Sequence, residues 1–280
     1  MGPTWRLLVT EPLDGATNMA LDEALLRGRI RGASGPTVRF YGWHPATVSL
    51  GYAQALDDAV DVARCAALGI GLVRRPTGGS AILHEPPERE VTYSVVAREG
   101  DFPGADDVLE TYRVLGQGLV AGLGRLGVAA ELAPLVRGRS ERTPAFCFGR
   151  AGAYEIAVGG RKLVGSAQRR QRGCFLQHGS VLLAADPARI RAVFPRESDP
   201  MAGLTTLAET LGSAPDFDTV VLALAAGLGD ALGVRLASAG LTPEESALSD
   251  ALILGKYGTD VWTTLGRLPE DAGAPASVAG

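Results

Sequence analysis

Cysteine and long apolar runs are scarce in this sequence. Its three cysteines, Cys65, Cys147 and Cys174, are widely spaced and fit no zinc motif. Because their number is odd and the first residues lack the apolar centre of a signal peptide, we expect free thiols and a cytoplasmic protein. No stretch approaches the roughly 20 apolar residues that a membrane-spanning helix needs. The sequence therefore argues against a disulfide scaffold, a structural zinc site and a membrane protein.

An excess of charge of one sign is also missing. The 27 basic and 31 acidic residues give a formal net charge of -4. A protein that binds nucleic acid through a strong positive field carries a basic excess, so no nucleic-acid partner is predicted. Arginines do cluster at Arg74 and Arg75, and again at Arg169, Arg170 and Arg172. By themselves such clusters favour a solvent-exposed face.

What the sequence does have is enough apolar material for one large core. Its 280 residues are 46% hydrophobic, which predicts one large domain, residues 1–245, followed by a C-terminal helix and a flexible tail in residues 246–280. Periodicity and turn residues predict mixed helices and strands. The predicted helices are 18–30, 57–68, 106–126, 187–194, 205–211, 217–232 and 243–256. The predicted strands are 36–43, 46–50, 70–73, 153–158, 161–167 and 174–183.

Three of these boundaries rest on capping or turn chemistry. Asn18 or Thr17 is the expected N-cap of the first helix, and Asp106 that of the helix over 106–126. Gly159 and Gly160 supply the positive φ angles of a two-residue hairpin turn between strands 153–158 and 161–167.

The segment 74–84, RRPTGGSAILH, is the first that could carry chemistry. Two arginines and a glycine pair follow a predicted strand, so the backbone amides could line a polar or anionic group. The segment lacks the spacing and the lysine of a P-loop, and a plain turn between strands explains it equally well.

Lys162 lies in the second such segment, 160–168, on a strand that continues into Gly165, Ser166 and Ala167. These small residues would let a ligand lie against the backbone. The alternative is an edge-strand lysine that blocks aggregation.

His178 and Gly179 interrupt an otherwise apolar strand in the third segment, 177–180. A hydrogen-bonded core histidine is the ordinary reading.

Cys147 is the centre of the fourth segment. It stands between Phe146 and Phe148, in a predicted loop flanked by several arginines. A thiol is a poor nucleophile until it ionises, and a nearby ammonium such as that of Lys162 would favour the thiolate. Cys174 is the rival nucleophile, because it lies close to the hairpin in the chain.

Taken together, the segments NMALDEAL, PTVRFYGWHPATVSLGYAQ, RRPTGGSAILH, EVTYS, GRKLVGSAQRRQ and LQHGSVLL resemble, in this order, the biotin and lipoate protein ligase and transferase superfamily. Within it they are most similar to the octanoyltransferases of lipoate assembly. The resemblance runs from about residue 18 to residue 183, and KYGTDVW near residues 256–262 resembles the end of the transferase type.

The resemblance implies an α+β fold, in which a mixed β-sheet flanked by helices forms the catalytic domain around a narrow acyl tunnel. It implies that Cys147 carries the acyl group as a thioester and that Lys162 contacts the acyl carbonyl. The substrate-binding residues that we predict are Arg74, Arg75, Thr77, Gly78, Gly79, His84, Gly165, Ser166, Ala167, His178 and Gly179. No metal and no cofactor are implied, because exchange between thioesters needs no ATP.

The partners implied are octanoyl-acyl carrier protein as donor and a lipoyl-accepting protein, such as the glycine cleavage carrier, as acceptor. A monomer suits an enzyme that docks bulky carriers. Three alternatives stay open at this point: an ATP-dependent lipoate-protein ligase, an amidotransferase between two lipoyl proteins, and a non-catalytic binder of acyl groups. The base that deprotonates the incoming amine stays unassigned, with His84 and His178 as candidates.

Overall fold

The computed structural model describes residues 2–56, 60–133, 155–196 and 199–268. Strands and helices are mixed along the chain. The strands are β1 (Thr4–Leu13), β2 (Thr37–Trp43), β3 (Thr47–Leu50), β4 (Gly71–Arg74), β5 (Ile82–His84), β6 (Glu90–Arg98), β7 (Glu131–Leu132), β8 (Ile156–Val158), β9 (Arg161–Gln171), β10 (Cys174–Leu182) and β11 (Arg235–Ser238). The helices are α1 (Gly15–Arg31), α2 (Val62–Ala67), α3 (Val108–Arg125), α4 (Pro187–Val193), α5 (Leu207–Leu211), α6 (Phe217–Leu232), α7 (Pro243–Leu252) and α8 (Asp260–Leu265).

Two β-sheets organise these elements. In the described residues the large sheet has eight strands in the order β11-β1-β2-β6-β10-β9-β8-β7, and the small sheet has the order β4-β3-β5. Strand β1 runs parallel to β2 and β11, whereas β6, β10 and β9 are antiparallel neighbours. The predicted α+β fold with a mixed sheet is confirmed.

Helices cover both faces of the large sheet. Helices α3 and α6 pack on one face, where the largest apolar core includes Phe40, Leu119 and Leu224. Helix α1 packs on the other face, with Leu25 and Leu26 against Leu176 of β10. The small sheet lies beside α1 on that second face, so a space bounded by two sheets and one helix is left between them.

Both predicted N-caps are wrong, by one to four residues. Helix α1 begins at Gly15, and the carboxylate of Asp14 accepts a hydrogen bond from the Thr17 amide at 3.0 Å. Asn18 is instead fully buried, and its amide donates to the carbonyls of Leu13 and Gly42. Helix α3 is capped by Asp107. An amphipathic stripe marks a helix face, but which polar residue turns its side chain back to the amides depends on the approach of the chain.

The predicted hairpin between β8 and β9 is confirmed. Gly159 and Gly160 have φ angles of 56° and 75°, which side chains with a Cβ rarely adopt. Strand β9 extends to Gln171, beyond its predicted end.

The C-terminal part of the described chain packs against its beginning. Helix α7 lies on α1, and Arg6 donates to Glu245 at 2.6 Å. A short π-helix, Ile253–Tyr257, connects α7 towards α8. The predicted domain boundary at residue 245 therefore falls inside α7, and the division remains a prediction. None of the helices in the described ranges is long and apolar enough to cross a bilayer.

Candidate active site

A cavity of about 360 Å³ lies between the large sheet, the small sheet and α1. It is lined by Met19, Tyr41, Trp43, Arg75, Ile82, His84, Thr92, Gly165, Ser166, Ala167, His178, Gly179 and Ser180. Most of the predicted binding residues are thus brought together from segments that are far apart in the sequence.

Asp22 organises the wall of the cavity next to α1. Its fully buried carboxylate accepts hydrogen bonds from Arg39 at 2.9 Å, Ser94 at 2.9 Å and Tyr41 at 3.0 Å. Burial would raise the pKa of Asp22, but its hydrogen bond to His178 and the charge of Arg39 hold that pKa below its ordinary value. The residue is therefore a carboxylate, which can only accept.

His178 connects this carboxylate to the 74–84 segment. Its Nδ1 lies 3.0 Å from Asp22 Oδ2, and its Nε2 lies 2.6 Å from the Thr77 hydroxyl. Burial lowers the pKa of His178, against the opposing effect of Asp22, so the ring is neutral at neutral pH. Since Asp22 must accept from Nδ1, Nε2 is the acceptor for Thr77. Thr77 thus lies behind the cavity wall, where it fixes the histidine.

Glu90 organises the opposite wall in the same manner. Its buried carboxylate accepts from His84 Nδ1, Thr92 and Ser180, each at 2.7 Å. Trp43 stacks on the His84 ring with centroids 4.0 Å apart. Because these polar groups bond to one another, they present mainly ring and carbon atoms to the cavity, and the ligand meets a largely apolar surface.

Glycine is required where the backbone approaches most closely. A Cβ at Gly179 would lie 2.4 Å from the Gly165 carbonyl oxygen and 2.8 Å from Tyr93. A Cβ at Gly51 would lie 1.8 Å from the carbonyl oxygen of Gly79, which itself has a φ of 94°. The Gly78–Gly79 turn therefore packs directly on the end of the small sheet. A larger residue at Gly51 or at Gly79 would push the turn away from the sheet.

Lys162 is 2% exposed, so the interpretation as a solvent-facing edge lysine is wrong. Its ammonium donates to Glu155, just before β8. The β8–β9 register shifts between Ile156 and Ala157, and Leu163 and Val164 both lie in the core under α3 and α6. This bulge interrupts the alternation of side chains and returns Lys162 to the sheet face of Gly165 and Ala167. Lys162 is not among the residues that line the cavity, but it precedes the lining residue Gly165 by three positions along β9.

Arg74 and Arg75 are 1% and 2% exposed, so the solvent-exposed reading of this pair is wrong. Arg75 lines the cavity and donates to the carbonyls of Ser49 at 2.9 Å and Ser80 at 2.8 Å. Arg74 points elsewhere. Among the described residues its guanidinium donates only to carbonyl oxygens, which are those of Gly51, Tyr52, Gln54, Trp262, Thr263 and Thr264. Its predicted part in substrate binding stays a prediction without a contact in its favour.

Cys147 lies outside the described residues. Of the other two thiols, Cys65 is buried under the small sheet, and burial raises its pKa to about 11. Cys174 is 1% exposed in the core beneath α1. Neither lines the cavity.

Several residues of the site carry no functional prediction from sequence. They are Asp22, Glu90, Tyr41, Trp43, Thr92, Ser49 and Glu155. All of them except Glu155 lie in recognised segments, which are the available signal. A bond to a partner 156 positions away, such as that of Asp22 to His178, cannot be read from a motif. No group of three or more metal-ligating side chains occurs within the described ranges.

Comparison with known proteins agrees with this geometry. Residues 14–229 match the family model described as the lipoyl protein ligase A/B catalytic domain. The chain is 45% identical to an octanoyltransferase LipM of Kyrpidia tusciae, over 92% of this chain and 98% of the relative. It is 44% identical to the protein of the same name from Symbiobacterium thermophilum, over 94% and 98%.

Solved structures give the same fold. A lipoate-protein ligase A bound with ATP matches with a TM-score of 0.78 and 26% identity, over 94% of this chain and 99% of that one. A putative lipoate protein ligase from T. acidophilum with bound lipoic acid matches with a TM-score of 0.77 and 28% identity, over 94% and 100%. The cavity between the two sheets therefore belongs to a fold that is known to hold lipoic acid in another protein.

Proposed function

Because the chain belongs to the lipoyl protein ligase A/B catalytic domain family, we propose that it is an octanoyltransferase of protein lipoylation that works through a thioester on Cys147. The observation that carries the proposal is the identity of 45% and 44%, over nearly the whole length, to two octanoyltransferases. The largely apolar walls of the cavity suit the hydrocarbon part of an acyl group.

Lys162 and Glu155 are the described residues nearest to the proposed chemistry. Cys147 precedes Glu155 by eight positions in the sequence, and Glu155 contacts the Lys162 ammonium. A segment of this length can bring the thiol to the ammonium, which has three donors and can serve a carboxylate and a thiolate together. The Glu155 carboxylate pairs with the buried Lys162 side chain, and such a partner offsets part of the cost of burying a charge.

The reaction consists of two acyl transfers. The Cys147 thiolate attacks the thioester carbonyl of octanoyl-acyl carrier protein, the old carbon–sulfur bond breaks, and the donor leaves as a thiolate that takes a proton from solvent. The neutral amine of an acceptor lysine then attacks the octanoyl-enzyme, the amide forms, and the Cys147 thiolate leaves while the amine proton passes to solvent. Lys162 stabilises the negative oxygen that develops in both steps. The acceptor that we propose is a lipoyl-accepting protein such as the glycine cleavage carrier.

A lipoate-protein ligase is the second candidate, because the solved neighbours are ligases and one of them binds ATP. Those ligase chains are matched over 99–100% of their length, so the length of this chain does not separate the two activities. The higher identity to the octanoyltransferases favours transfer. An amidotransferase between two lipoyl proteins would use the same thioester with a different donor.

Intact-protein mass spectrometry after mixing with octanoyl-acyl carrier protein separates these functions. We expect one octanoyl adduct without ATP, its loss in Cys147→Ser, and its retention in the matched control Cys174→Ser. Lys162→Ala should slow adduct formation by about 10²–10³, the usual effect of one such electrostatic donor.

Other outcomes would contradict the proposal. Labelling that requires ATP and free acid would establish the ligase, and labelling only from an octanoylated carrier of lipoyl groups would establish the amidotransferase. An adduct that survives in Cys147→Ser and disappears in Cys174→Ser would identify Cys174 as the nucleophile. No adduct under any condition would leave a non-catalytic binder.

A further inference from the structure

A second depression of about 720 Å³ adjoins the cavity, and it is strongly charged. Four cationic side chains and one carboxylate line it, although the whole chain has a net charge of -4. We call this depression the basic cleft. Its residues are Glu23, Arg27, Tyr52, Arg169, Gln171, Lys256, Trp262, Gly266, Arg267 and Leu268.

Helix α1 contributes to both spaces from one stripe. Met19 lines the cavity, whereas Glu23 and Arg27, one and two turns further on, line the basic cleft. Residues four apart lie above one another on a helix face. Along α1 the apolar lining of the cavity is therefore replaced, after a single turn, by the charged lining of the basic cleft.

Strand β9 shows the same succession. Ala167 lines the cavity and Arg169 lines the basic cleft. Side chains two apart point to the same face of a strand, so the two positions are neighbours roughly 7 Å apart. Lys162 lies on this face on the other side of the cavity residues Gly165 and Ala167. The acyl-bearing end proposed above and the basic cleft thus lie at opposite ends of the cavity.

The charged groups at this junction are held in place by one another. Glu23 accepts hydrogen bonds from Arg27 at 2.5 Å, from Lys256 at 2.6 Å and from the Tyr257 hydroxyl. Lys256 is 7% exposed, and its ammonium lies 4.0 Å from the centroid of the Trp262 ring. A group this well bound does not move aside without losing several charge-assisted contacts.

Arg169 forms the part of the junction next to the 74–84 segment. Its guanidinium donates to the Pro76 carbonyl at 3.1 Å and lies 5.2 Å from the centroid of Tyr52. Within the described ranges no carboxylate lies in direct contact with the Arg169 guanidinium. An alkyl chain that reached it would have to displace its hydration and give no hydrogen bond in return.

We propose that the charged wall formed by Arg169, Lys256 and Glu23 limits the length of the acyl chain that the enzyme transfers. The proposal rests on the function proposed above, which puts the acyl carbonyl near Lys162. Each methylene that enters the apolar cavity favours binding about fourfold, which corresponds to ~0.8 kcal/mol. A methylene that reaches the charged wall gains none of this, because it meets ions and water.

Transfer from acyl carrier protein loaded with octanoyl, decanoyl or dodecanoyl groups tests the proposal. The measured quantity is kcat/KM for acyl-enzyme formation, by intact mass, in wild type and in Arg169→Met. In wild type we expect kcat/KM to stop rising once the acyl chain is long enough to fill the cavity. In Arg169→Met the decanoyl and dodecanoyl values should rise relative to octanoyl, by roughly fourfold for each methylene that gains apolar contact. The octanoyl value itself should be unchanged.

Arg267→Met is the matched control, because Arg267 is an exposed side chain on the same cleft. It removes the same charge and should leave the chain-length profile as in wild type. The double variant Glu23→Leu with Lys256→Met replaces a buried ion pair by apolar groups, an exchange that proteins often tolerate, and it should extend the profile like Arg169→Met.

A profile that stays the same in Arg169→Met and in the folded double variant would overturn the proposal, as would the same extension in Arg267→Met. Should Arg169→Met fail to fold, the double variant decides. These outcomes are distinct from failure of the proposed function, which would abolish the Cys147-dependent octanoyl adduct in the wild type itself.

Discussion

Asp22 and His178 illustrate how single residues shape this site. Four side chains bond to the Asp22 carboxylate, and one of them is His178, whose other ring nitrogen bonds to Thr77. The neutral ring costs less to bury than an imidazolium would. A proton added to Nε2 would also lose the bond from Thr77, so the cavity wall is built for the unprotonated histidine.

Stability should therefore depend on pH through His178. Its folded pKa lies below the ordinary value of 6.5, so below that pH the unfolded chain binds more protons than the folded one. Its contribution is fully present above pH 6.5 and is lost as pH falls through the folded pKa. In urea unfolding, we expect the stability difference between wild type and His178→Gln to narrow below pH 6.5, by up to about 1.4 kcal/mol per pH unit.

His44 provides the matched control for this measurement. Its side chain is exposed, so His44→Gln should unfold with the pH dependence of the wild type. A difference between wild type and His178→Gln that is constant from pH 7.5 to 5 would contradict the burial argument.

At the scale of elements, the contact between α3 and α6 depends on the absence of side chains. A Cβ at Gly227 of α6 would lie 2.2 Å from the carbonyl oxygen of Gly118 and 2.4 Å from the amide nitrogen of Gly122 in α3. The two backbones therefore touch, as in other helix pairs with small residues at the crossing. This contact brings the apolar stripe of α3 onto the sheet.

Gly227→Ala should reduce the free energy of unfolding by about 1–3 kcal/mol, because the added methyl group has no room. Guanidinium chloride unfolding measures this loss.

Gly124→Ala is the control in the same kind of helix interior. Gly124 is exposed on α3, and a Cβ there meets nothing within 4 Å. Its substitution should stabilise the protein, by up to about 1 kcal/mol, through helix propensity alone. If both variants were stabilised, the close helix contact would be refuted.

At the scale of the whole molecule, the described C-terminal segment is bound to the first half of the chain by buried polar contacts. Arg74 donates to the carbonyls of Trp262, Thr263 and Thr264, and the Trp262 indole donates back to the Arg74 carbonyl at 2.9 Å. Helix α8 is thereby held against β4, at the base of the 74–84 segment. These contacts make the end of the described chain part of the support for the cavity.

Arg74→Lys keeps the positive charge but cannot reproduce the planar set of donors. We expect a loss of at least about 2 kcal/mol, since several carbonyl oxygens lose their charged partner. Thermal unfolding followed by circular dichroism should show a lower Tm.

Arg125→Lys is the corresponding control, because the Arg125–Asp230 pair is on the surface. Surface pairs contribute little, so Tm should change only slightly. Equal Tm values for the two variants would show that the Arg74 contacts do not stabilise the fold.

Local signals in the sequence determined the bounds of several elements and showed which segments contribute to the site. Helix α6 begins and ends at its predicted residues, 217 and 232, because its apolar run is bounded by Asp216 and by Gly233 with a φ of 66°. The Gly159–Gly160 turn followed from the same kind of short-range signal. Strands β1 and β11 gave no such signal: they form at one edge of the sheet through their pairing with each other and with β2.

Only the tertiary structure decided what the polar residues do. The sequence marked Arg74, Arg75, Lys162 and His178 as candidate site residues. For the arginines and the lysine, however, a solvent-exposed position explained the pattern as well. Their burial depends on partners such as Trp262, Ser49, Glu155 and Asp22, and two of these, Trp262 and Asp22, are more than a hundred positions away. Periodicity records which side of an element is apolar, whereas the burial of a charge is stable only where distant segments meet to compensate it.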